Sequence, residues 1–363
     1  MVHVELKNLS KKFGSFTAVD HINLSIRKGE FVSLLGGSGC GKTTTLRMVA
    51  GFEDPTEGEI FVDGTVINNT PAKSRNMGMV FQSYALFPTK TVSENIGFGL
   101  KVRKIKPNEI KQKVMKLLTL AHMDDLSERY PAQLSGGQQQ RVALLRALAI
   151  EPTVLLLDEP LSNLDAKLRI TMRNEIKKMQ SNLNITTIYV THDQEEALVV
   201  SDKIAVMNQG RIHQIGSPID IYTKPADRFV ADFIGISNFL NCEIIDADTI
   251  RCEDTLLKIQ FHNTRKSGDK VTLSFRPEHI NLSTKDIEPE NHDERLTLVV
   301  TITLEVFLGT NVRLEAITKG GQTILIDIPL ELKRELGCKI GDQAILSVSS
   351  DYLNIFLNGD AGQ

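Results

Sequence analysis

The sequence predicts a layered α/β domain followed by a smaller all-β domain. Up to about residue 236, apolar runs that suit strands buried on both faces alternate with helical patterns. From residue 237 onward, short alternating segments joined by Gly and Asn/Asp turns dominate. A length of 363 residues also exceeds what one hydrophobic core commonly fills, so the chain is expected to divide.

Composition and charge narrow the classes of protein to which this chain can belong. Hydrophobic residues make up 41% and charged residues 24%, which is ordinary for globular proteins and excludes wholesale disorder. The net charge of -3 lacks the basic excess of a dedicated nucleic-acid binder, so we expect no nucleic acid as a partner. No apolar run approaches the ~18–20 residues that span a bilayer, and the start lacks a signal-peptide pattern. We therefore expect a cytoplasmic protein.

The four cysteines show no spacing that indicates a zinc site or a CxxC redox pair. They are scattered along the chain, at Cys40, Cys242, Cys252 and Cys338. In a reducing compartment, we expect all four to be unpaired thiols.

The α/β part begins with alternating strands and continues with a buried one. Alternation over residues 4–6 and 22–26, on either side of a turn at Gly14, predicts two strands. The apolar run 31–35 suits a strand of a parallel sheet, and residues 43–50 are predicted to form a helix.

The rest of this part continues the alternation. Buried strands are predicted at residues 154–157 and 186–190, with an amphipathic helix over 165–181 between them and a hairpin at 204–212. Residues 88–150 are mostly helical in pattern, which predicts a helical subdomain inserted into the α/β domain.

A basic run over residues 101–113 lies within this helical stretch. Such runs are usually a solvated loop and helix face. A surface that faces anionic lipid or an acidic partner is the alternative.

The tail, residues 237–363, is predicted to be a small OB-like β-barrel. Its alternating segments are residues 273–275, 298–302, 313–317, 323–326 and 344–348. An oligonucleotide-binding barrel would need exposed aromatics among basic residues, whereas several of the few aromatics here fall in strand patterns typical of a core. A regulatory ligand or protein site and plain dimer scaffolding stay open as roles of the tail.

A glycine-rich loop joins the first buried strand to the following helix. Residues 36–43, Gly-Gly-Ser-Gly-Cys-Gly-Lys-Thr, satisfy the pattern G-x-x-x-x-G-K-[ST]. Glycines let backbone N–H groups curl around phosphate oxygens, the helix N-terminus adds positive partial charge, and Lys42 supplies a point charge. The Thr43 hydroxyl can ligate Mg²⁺. The loop therefore predicts a site for nucleotide phosphates.

Two acidic residues, Asp158 and Glu159, end the second buried strand. Ligands of such folds bind at the carboxyl edge of the parallel sheet, so we expect both residues beside the glycine-rich loop. Asp158 is placed to hold the Mg²⁺ shell, and Glu159 is the candidate general base for an attacking water. Alone, this pair would be read as an ordinary strand end.

A second anion site is indicated by residues 134–138, Leu-Ser-Gly-Gly-Gln, which precede an apparent helix over 139–150. The Ser135 hydroxyl, free N–H groups and the helix dipole could together hold an anion. Taken alone, a serine that caps a helix is the ordinary interpretation.

The order of these motifs resembles the ATPases of ABC transporters. That order is the glycine-rich loop, Gln82, Leu-Ser-Gly-Gly-Gln, Asp158-Glu159, residues 162–165 (Ser-Asn-Leu-Asp) and His192. The resemblance covers residues 1 to about 236 and implies a P-loop ABC ATPase domain. In the tail, residues 275–280, Phe-Arg-Pro-Glu-His-Ile, resemble the motif of the small β-barrel appended to ATPases of bacterial importers for sugars, polyamines, ferric iron and phosphonates.

The resemblance also implies a role for each motif residue. Glu159, His192, Gln82 and Lys42 are the catalytic candidates, and Thr43, Gln82 and Asp158 are the candidates for Mg²⁺. The residues expected to contact ATP are Phe13, Val19, Gly37, Ser38, Gly39, Cys40, Gly41, Lys42, Thr43, Thr44, Gln82, Ser135, Gly136, Gly137, Gln138, Asp158, Asp165 and His192.

Some of these roles are specific. Phe13 is expected to stack on adenine, and His192 to contact the γ-phosphate. Asp165 is expected to contact the other subunit, and Ser135 of one copy to face the nucleotide held by the other. Gly37 departs from the usual Pro of the family and Thr43 from the commoner Ser, but neither change removes a group that binds phosphate or metal.

By this resemblance, the chain is expected to be the ATP-hydrolysing subunit of a bacterial ABC importer. It would work as a homodimer against two integral-membrane permease subunits at the cytoplasmic face of the cell membrane, and indirectly with a substrate-binding protein. MgATP would close the dimer and hydrolysis would reopen it, while the Gln82 region passes the motion to the permeases.

Other classes fit the sequence less well. An exporter ATPase is disfavoured because this sequence has no fused membrane domain, and a soluble ABC ATPase of translation or DNA repair because it has one cassette and no long coiled-coil insertion. Residues 85–88, Ala-Leu-Phe-Pro, slightly favour a polyamine, ferric-iron or phosphonate importer, and a sugar importer stays the alternative.

Overall fold

The computed structural model describes residues 2–259, 266–284 and 295–357. Their contacts divide the chain into two compact units, Met1–Pro218 and Ile219–Gln363. The predicted order, an α/β domain followed by an all-β domain, is confirmed. The division lies ahead of residue 236, where the sequence suggested a boundary.

The residues just after 218 belong with the second unit because the motif residue Arg276 binds them. Its buried guanidinium donates to the carbonyl oxygens of Tyr222, Ala231 and Ile234. A fully hydrogen-bonded buried guanidinium fixes the segment that supplies the acceptors. This gives the Phe-Arg-Pro-Glu-His-Ile motif a structural role in holding the start of the second unit.

The first unit contains two sheets and a set of helices. In chain order its strands are β1 (Val2–Phe13), β2 (Phe16–Arg27), β3 (Phe31–Gly36), β4 (Glu57–Val62), β5 (Thr65–Val66), β6 (Met77–Val80), β7 (Val154–Asp158), β8 (Thr186–Thr191), β9 (Lys203–Asn208) and β10 (Arg211–Gly216). Its helices are α1 (Lys42–Ala50), α2 (Val92–Val102), α3 (Pro107–Leu120), α4 (Gly136–Ala149), α5 (Ala166–Leu183) and α6 (Gln194–Val200). The predicted strands and hairpin lie on these strands, and the helices predicted over 165–181 and 139–150 correspond to α5 and α4, each with one predicted residue outside the observed helix.

The larger sheet has the strand order β10-β9-β3-β8-β7-β6, and all of its neighbouring strands run parallel except β10, which is antiparallel to β9. A second, antiparallel sheet has the order β2-β1-β4-β5. The larger sheet is buried on both faces, as its continuous apolar runs predict. Leu34 and Leu156 pack in one core with α1 and the antiparallel sheet. Phe31, Leu155 and Tyr189 pack in another core with α4 and α5.

The helical insert has a hydrophobic core of its own. Val92 and Ile96 of α2 pack with Leu118 of α3 and with Val142 and Leu145 of α4. The helical subdomain predicted within residues 88–150 therefore consists mainly of α2, α3 and α4.

The second unit is built mainly of strands. They are β11 (Asn238–Ile244), β12 (Thr249–Cys252), β13 (Thr255–Lys258), β14 (Lys270–Phe275), β15 (Asn281–Ser283), β16 (Arg295–Phe307), β17 (Asn311–Thr318), β18 (Thr323–Pro329), β19 (Gln343–Ser349) and β20 (Asn354–Leu357). Short helices are α7 (Pro218–Thr223), α8 (Arg228–Phe233) and α9 (Leu330–Leu336). The strands form two five-stranded sheets, ordered β13-β12-β11-β14-β20 and β15-β19-β16-β17-β18, which share one core.

One buried side chain joins these two sheets by hydrogen bonds. Asn238 on β11 donates from Nδ2 to the carbonyl of Leu325 on β18 and accepts at Oδ1 from the Leu325 N–H, both at 2.8 Å. The amide thus replaces a neighbouring strand as hydrogen-bond partner of two half-buried backbone groups of Leu325.

The expectation of four unpaired thiols is wrong for one pair, since Cys242 and Cys252 form a disulfide. The antiparallel register that pairs Glu243 with Arg251 brings the two cysteines face to face, with their Cα atoms 4.5 Å apart. Cys40 and Cys338 are free and buried, as expected.

None of the helices formed by residues 2–259, 266–284 and 295–357 is both long and apolar enough to cross a membrane.

We predict that Asn238→Ala destabilises the second unit by about 1–3 kcal/mol, because it leaves the half-buried N–H and carbonyl of Leu325 without their side-chain partner. Urea unfolding of the full chain, followed by circular dichroism, measures the change. Asn241→Ala, an exposed position on the same strand, is the matched control and should change stability by less than about 0.5 kcal/mol. Equal effects of the two substitutions would contradict this role of Asn238.

Candidate functional site

The glycine-rich loop turns sharply between β3 and α1, and two glycines are required by close backbone approach. A Cβ at Gly36 would lie 2.3 Å from the carbonyl oxygen of Met207, and one at Gly41 would lie 2.5 Å from that of Ala18. Gly41 also has a φ of 103°, in the left-handed region that favours glycine. Val19 is fully buried and lies beside Gly41, so its side chain supports the loop from below.

The loop encloses the ammonium group of Lys42. The Lys42 Nζ donates to the carbonyl oxygens of Gly36 at 2.8 Å and Gly37 at 2.7 Å, and it lies 3.7 Å from the sulfur of Cys40. Lys42 is also the first residue of α1, whose first-turn N–H groups have no carbonyl partner within the helix. A cation and free N–H groups at one point make a site that suits phosphate.

The remaining loop residues differ in accessibility. Gly37, Ser38 and Gly39 are exposed at the tip of the loop, while Cys40 is buried and Thr44 is half-buried in the first turn of α1. The exposed tip is where main-chain N–H groups can reach a ligand, because a buried loop could not admit one.

Thr43 and Asp158 meet at the edge of the sheet. The Thr43 hydroxyl donates to Asp158 Oδ1 at 3.0 Å. Burial raises the pKa of the Asp158 carboxyl, and the Thr43 hydrogen bond and the positive charges of Arg47 and Lys42 oppose that shift. A hydroxyl and a buried carboxylate are oxygen ligands of the kind that Mg²⁺ prefers, so this pair fits the predicted metal role.

Glu159, Gln82 and His192 form a second group beside that pair. The Glu159 carboxylate lies 3.2 Å from Nδ1 of His192 and accepts from the Gln82 amide at 3.5 Å. Glu159 has a φ of 44°, which is unusual for a residue with a side chain, and its N–H donates to the carbonyl of Val190. Backbone strain of this kind is common at functional sites, where the surrounding structure holds it in place.

Parallel strand register explains why these residues meet. Asp158 lies opposite Val190, Val80 lies opposite Leu157, and Leu35 lies opposite Thr191. The residues that follow β3, β6, β7 and β8 therefore leave the sheet at one edge, as the sequence predicts.

Ser135 and Asp165 lie at the starts of their own helices. The Ser135 hydroxyl accepts from the N–H of Gln138, whose side chain accepts in return from the Ser135 N–H. The Asp165 carboxylate accepts from the N–H of Leu168. Both residues are therefore N-caps, of α4 and α5. Among the described residues, no hydrogen bond joins Ser135 to the glycine-rich loop.

Two residues of the Leu-Ser-Gly-Gly-Gln motif open α4. Gly136 is exposed, and a Cβ at Gly137 would lie 2.9 Å from the Leu168 side chain, so this glycine allows α4 and the start of α5 to approach closely. The motif thus combines an exposed helix start with close packing behind it.

Phe13 lies at the end of β1 with 47% of its surface exposed, and the ammonium of Lys11 lies 4.9 Å from the ring centroid. An exposed aromatic face can stack on a base. Its contact with adenine stays a prediction, as do the direct contacts expected of Val19 and of the Ser135 and Asp165 side chains.

The sequence motifs did not reveal several side chains that hold the site together. Ser162 donates to the carbonyl of Glu159 at 3.0 Å, and Asn163 donates to the carbonyl of Gln82 at 2.8 Å. Arg169 donates to the carbonyl of Leu164. Their position in or just after the Ser-Asn-Leu-Asp segment was the available signal, although nothing in the sequence shows which backbone groups they bind.

Comparison with protein families gives two matches. Residues 19–162 match the family model described as ABC transporter, and residues 273–356 match the one described as TOBE domain. These spans cover parts of the α/β unit and of the all-β unit.

Curated relatives resemble the chain over most of its length. It is 44% identical over 357 residues to the Fe(3+) ions import ATP-binding protein FbpC of Fusobacterium nucleatum, covering 98% of this chain and 93% of that protein. It is 46% identical over 361 residues to the spermidine/putrescine import ATP-binding protein PotA of Roseobacter denitrificans, covering 98% of each. It is 50% identical over 280 residues to FbpC of Escherichia coli O157:H7, covering 77% of this chain and 80% of that protein.

Solved structures agree with the first unit. The ATP-binding cassette MJ0796, described as a dimeric post-hydrolysis state bound to ADP and Pi, is 33% identical with a TM-score of 0.53, covering 59% of this chain and 98% of that one. The protein cbiO1 of Clostridium perfringens, described as part of the ABC transporter complex cbiONQ, is 30% identical with a TM-score of 0.57, covering 62% of this chain and 92% of that one.

We predict that Asp158→Asn raises the unfolding temperature of the nucleotide-free protein. When folding raises the pKa of a carboxyl, the folded protein becomes less stable as the pH rises from the unfolded pKa of that carboxyl, near 4, through its folded pKa. The asparagine keeps the size and an acceptor for Thr43 but does not titrate. Scanning fluorimetry between about pH 4 and pH 8 should show a difference between the proteins that grows with pH.

The matched control is Asp125→Asn, an exposed carboxyl on the helical insert, which should give a difference that changes little with pH. If Asp158→Asn unfolds at a lower temperature than the wild type throughout this range, burial of the Asp158 charge does not destabilise the nucleotide-free protein.

Proposed function

The chain belongs to the ATP-binding subunits of ABC transporters, and from that premise we propose that it drives solute import as a homodimer bound to two integral-membrane permease subunits. The observation that carries the proposal is the arrangement of two groups at one sheet edge. Lys42, Thr43 and Asp158 would form a phosphate and metal site, and Glu159 follows Asp158 directly, in contact with His192.

ATP hydrolysis by this site needs positioning and charge neutralisation more than covalent chemistry. The N–H groups at the loop tip and the Lys42 ammonium would hold the β- and γ-phosphates. Glu159 would orient the attacking water and take its proton, since its carboxylate lies at the strand end beside the phosphate site. His192, 3.2 Å from that carboxylate, would contact the γ-phosphate and fix Glu159.

The metal ion expected with ATP would be held by Thr43 and Asp158, with Gln82 nearby. Mg²⁺ bound there would neutralise charge on the phosphate oxygens. Magnesium sites of this type use one or two carboxylates plus substrate phosphates, so they need no dedicated protein cage. No group of three or more His, Cys, Asp or Glu side chains in residues 2–259, 266–284 and 295–357 is placed to hold a metal.

A second copy of the chain would complete the site. Ser135 is exposed at the start of α4, where a hydroxyl and first-turn N–H groups could bind an anion, and it caps its own helix. In the proposed head-to-tail dimer, Ser135 of one copy faces the ATP held by Lys42 of the other. The solved cassette MJ0796, a dimeric post-hydrolysis state bound to ADP and Pi, supports this arrangement by similarity.

We propose that a groove in the helical subdomain receives a membrane subunit. The groove has a volume of about 480 Å³ and lies between α2 and α3, with an apolar floor and a charged rim. Its apolar lining comprises Gly97, Phe98, Ile105, Pro107, Ile110, Val114 and Met115, and its charged lining comprises Lys90, Glu94, Lys101, Lys111 and Glu128. An apolar floor with a mixed polar rim suits a short amphipathic segment of a partner protein.

Packed side chains connect this groove to Gln82. Phe98, in the groove, packs against Phe87 with ring centroids 4.4 Å apart and ring planes tilted by 45°. Arg146 of α4 donates to the carbonyls of Tyr84 and Ala85, so the segment after Gln82 is bonded to the helix that begins with Leu-Ser-Gly-Gly-Gln. Residues 83–87 do not line the groove themselves, and they connect it to the site through Phe87.

For the transported solute, we propose ferric iron or a polyamine such as spermidine or putrescine. The support is similarity to proteins named for the import of Fe(3+) ions and of spermidine/putrescine, at 44–50% identity. The subunit would then work at the cytoplasmic face of the cell membrane, with a substrate-binding protein acting from the other side. Stimulation of ATPase in the reconstituted transporter by one loaded binding protein, and not by the others, tests this assignment.

We predict that Glu159→Gln lowers the turnover number about 10²- to 10⁴-fold while ATP binding persists, because it removes the base and leaves the phosphate loop intact. Blocked hydrolysis should also hold the ATP-bound dimer closed. The chain has no tryptophan, so Phe13→Trp provides one fluorescence signal for adenine binding. Turnover and size-exclusion with MgATP measure the two effects.

Glu195→Gln, at an exposed position of α6, makes the same chemical change away from the cluster and should leave turnover within about threefold of the wild type. Turnover within about threefold for Glu159→Gln as well would remove Glu159 from the role of base.

For the groove, we predict that Met115→Glu abolishes transport and leaves the ATPase activity of the isolated subunit within about twofold, since it places a charge on an apolar docking surface far from Lys42 in sequence. Leu120→Glu is a closely matched control: both residues lie on α3, with 43% and 42% exposure, but Leu120 does not line the groove. Equal transport by the two variants would show that the groove does not receive the permease.

A further inference from the structure

A single side chain connects the loop that would face the second subunit with the segment that carries His192. Arg169 lies on α5, and its Nη2 donates to the carbonyl of Leu164 at 3.1 Å. Its Nη1 donates to the Asp193 carboxylate at 3.3 Å, and its Nε, which donates no hydrogen bond within residues 2–259, 266–284 and 295–357, forms an ion pair with the Glu196 carboxylate at 3.8 Å. The guanidinium therefore spans from the 162–165 loop to residues on both sides of the start of α6.

Arg169 and its two carboxylate partners, Asp193 and Glu196, fix the backbone on either side of His192. Glu196 has a side chain that is 4% exposed, and it accepts from the hydroxyls of Tyr189 at 2.6 Å and Thr191 at 2.7 Å. Thr191 accepts in turn from the N–H of Asp193 at 3.0 Å, and Asp193 caps α6 by accepting from the Glu196 N–H. Charged and buried partners make these bonds strong, so residues 191 and 193 have little freedom.

The His192 ring, by contrast, is exposed and lies 3.2 Å from the Glu159 carboxylate. Its position relative to Glu159 is set largely by the backbone that carries it. A shift of that backbone by a fraction of an ångström would change this contact, and catalysis depends strongly on such small changes in geometry.

We propose that Arg169 is a positioning residue that transmits the placement of the 162–165 loop to His192. Asp165, the last residue of that loop, is expected to meet the second copy of the chain, so docking of that copy would set the position of His192 through Leu164, Arg169 and Asp193. This inference rests on the proposed function, because the roles of His192 and of the second copy belong to it.

The geometry calls for arginine rather than for any positive charge. A guanidinium presents donors in a planar fork and can reach a carbonyl and two carboxylates at once. A lysine ammonium would keep the charge near Glu196 and Asp193, but a compact point charge cannot hold the Leu164 carbonyl and the Asp193 carboxylate in the same fixed relation. The conservative substitution therefore separates positioning from charge.

The test is steady-state ATPase kinetics of the full-length chain, as wild type, Arg169→Lys and Arg169→Gln, each with and without His192→Ala. Arg169→Lys should lower kcat about 10- to 100-fold, with KM for ATP and the unfolding temperature close to wild type. In the His192→Ala background, the same substitution should cost less than about twofold further, because a residue that acts through His192 has nothing left to position.

Lys177→Gln is the matched control, since Lys177 lies on the same helix and forms an ion pair with Asp202 at 2.8 Å that does not involve the 162–165 loop. It should leave kcat within about twofold. Wild-type kcat in Arg169→Lys, or effects of Arg169→Lys and His192→Ala that multiply, would overturn the inference. So would a loss of kcat that is matched by lower stability and weaker ATP binding. A wild-type chain without any ATPase activity would overturn the proposed function itself.

Discussion

The parallel pairing of β7 with β8 is the constraint on which the functional site depends. Asp158 lies opposite Val190, and the N–H of Glu159 donates to the carbonyl of that same valine. Side chains alternate between faces along a strand, so a slip of one residue would exchange the directions of Asp158 and Glu159. With the observed register, one carboxylate meets Thr43 and the other meets His192.

Hydrogen bonds from side chains to backbone groups connect the motifs to one another. Three of these bonds involve residues of the 162–165 loop. Ser162 binds the carbonyl of Glu159, Asn163 binds that of Gln82, and the carbonyl of Leu164 accepts from Arg169. A loop with this many fixed backbone partners cannot move independently of the catalytic candidates. If a second copy docks at Asp165, the displacement reaches Gln82, Glu159 and His192 through bonds rather than through diffuse strain.

Elements with strong local signals could be predicted from the sequence, and elements decided by long-range contacts could not. The run 31–35 is apolar at four of five positions and forms β3, as predicted, whereas β6 is four residues long, contains Gly78 and is not predicted by the sequence pattern. A Cβ at Gly78 would lie 2.6 Å from the carbonyl of Ala147, so the glycine serves the packing of α4, which no local pattern reveals. Likewise, the Cys242–Cys252 disulfide follows from the register of a hairpin whose turn has no clear signature. The glycine-rich loop, Asp158 and Glu159 could be located because each follows an apolar strand, but the partners of Arg169 depend on how α5 and α6 pack.

Ser135 illustrates how a local interpretation and a functional one can both hold. The structure gives it the ordinary role of an N-cap, because its oxygen accepts from the N–H of Gln138. A hydroxyl has two acceptor lone pairs and one donor hydrogen, so capping uses an acceptor and leaves the donor free. In the proposed dimer, that hydrogen and the first-turn N–H groups of α4 would both be directed at a phosphate, while the returned bond from the Ser135 N–H to Gln138 keeps the hydroxyl in place. The cap thus preorganises the anion site, because the Ser135 side chain is already ordered before the second copy binds. Binding of that copy then loses less conformational entropy, which increases its affinity.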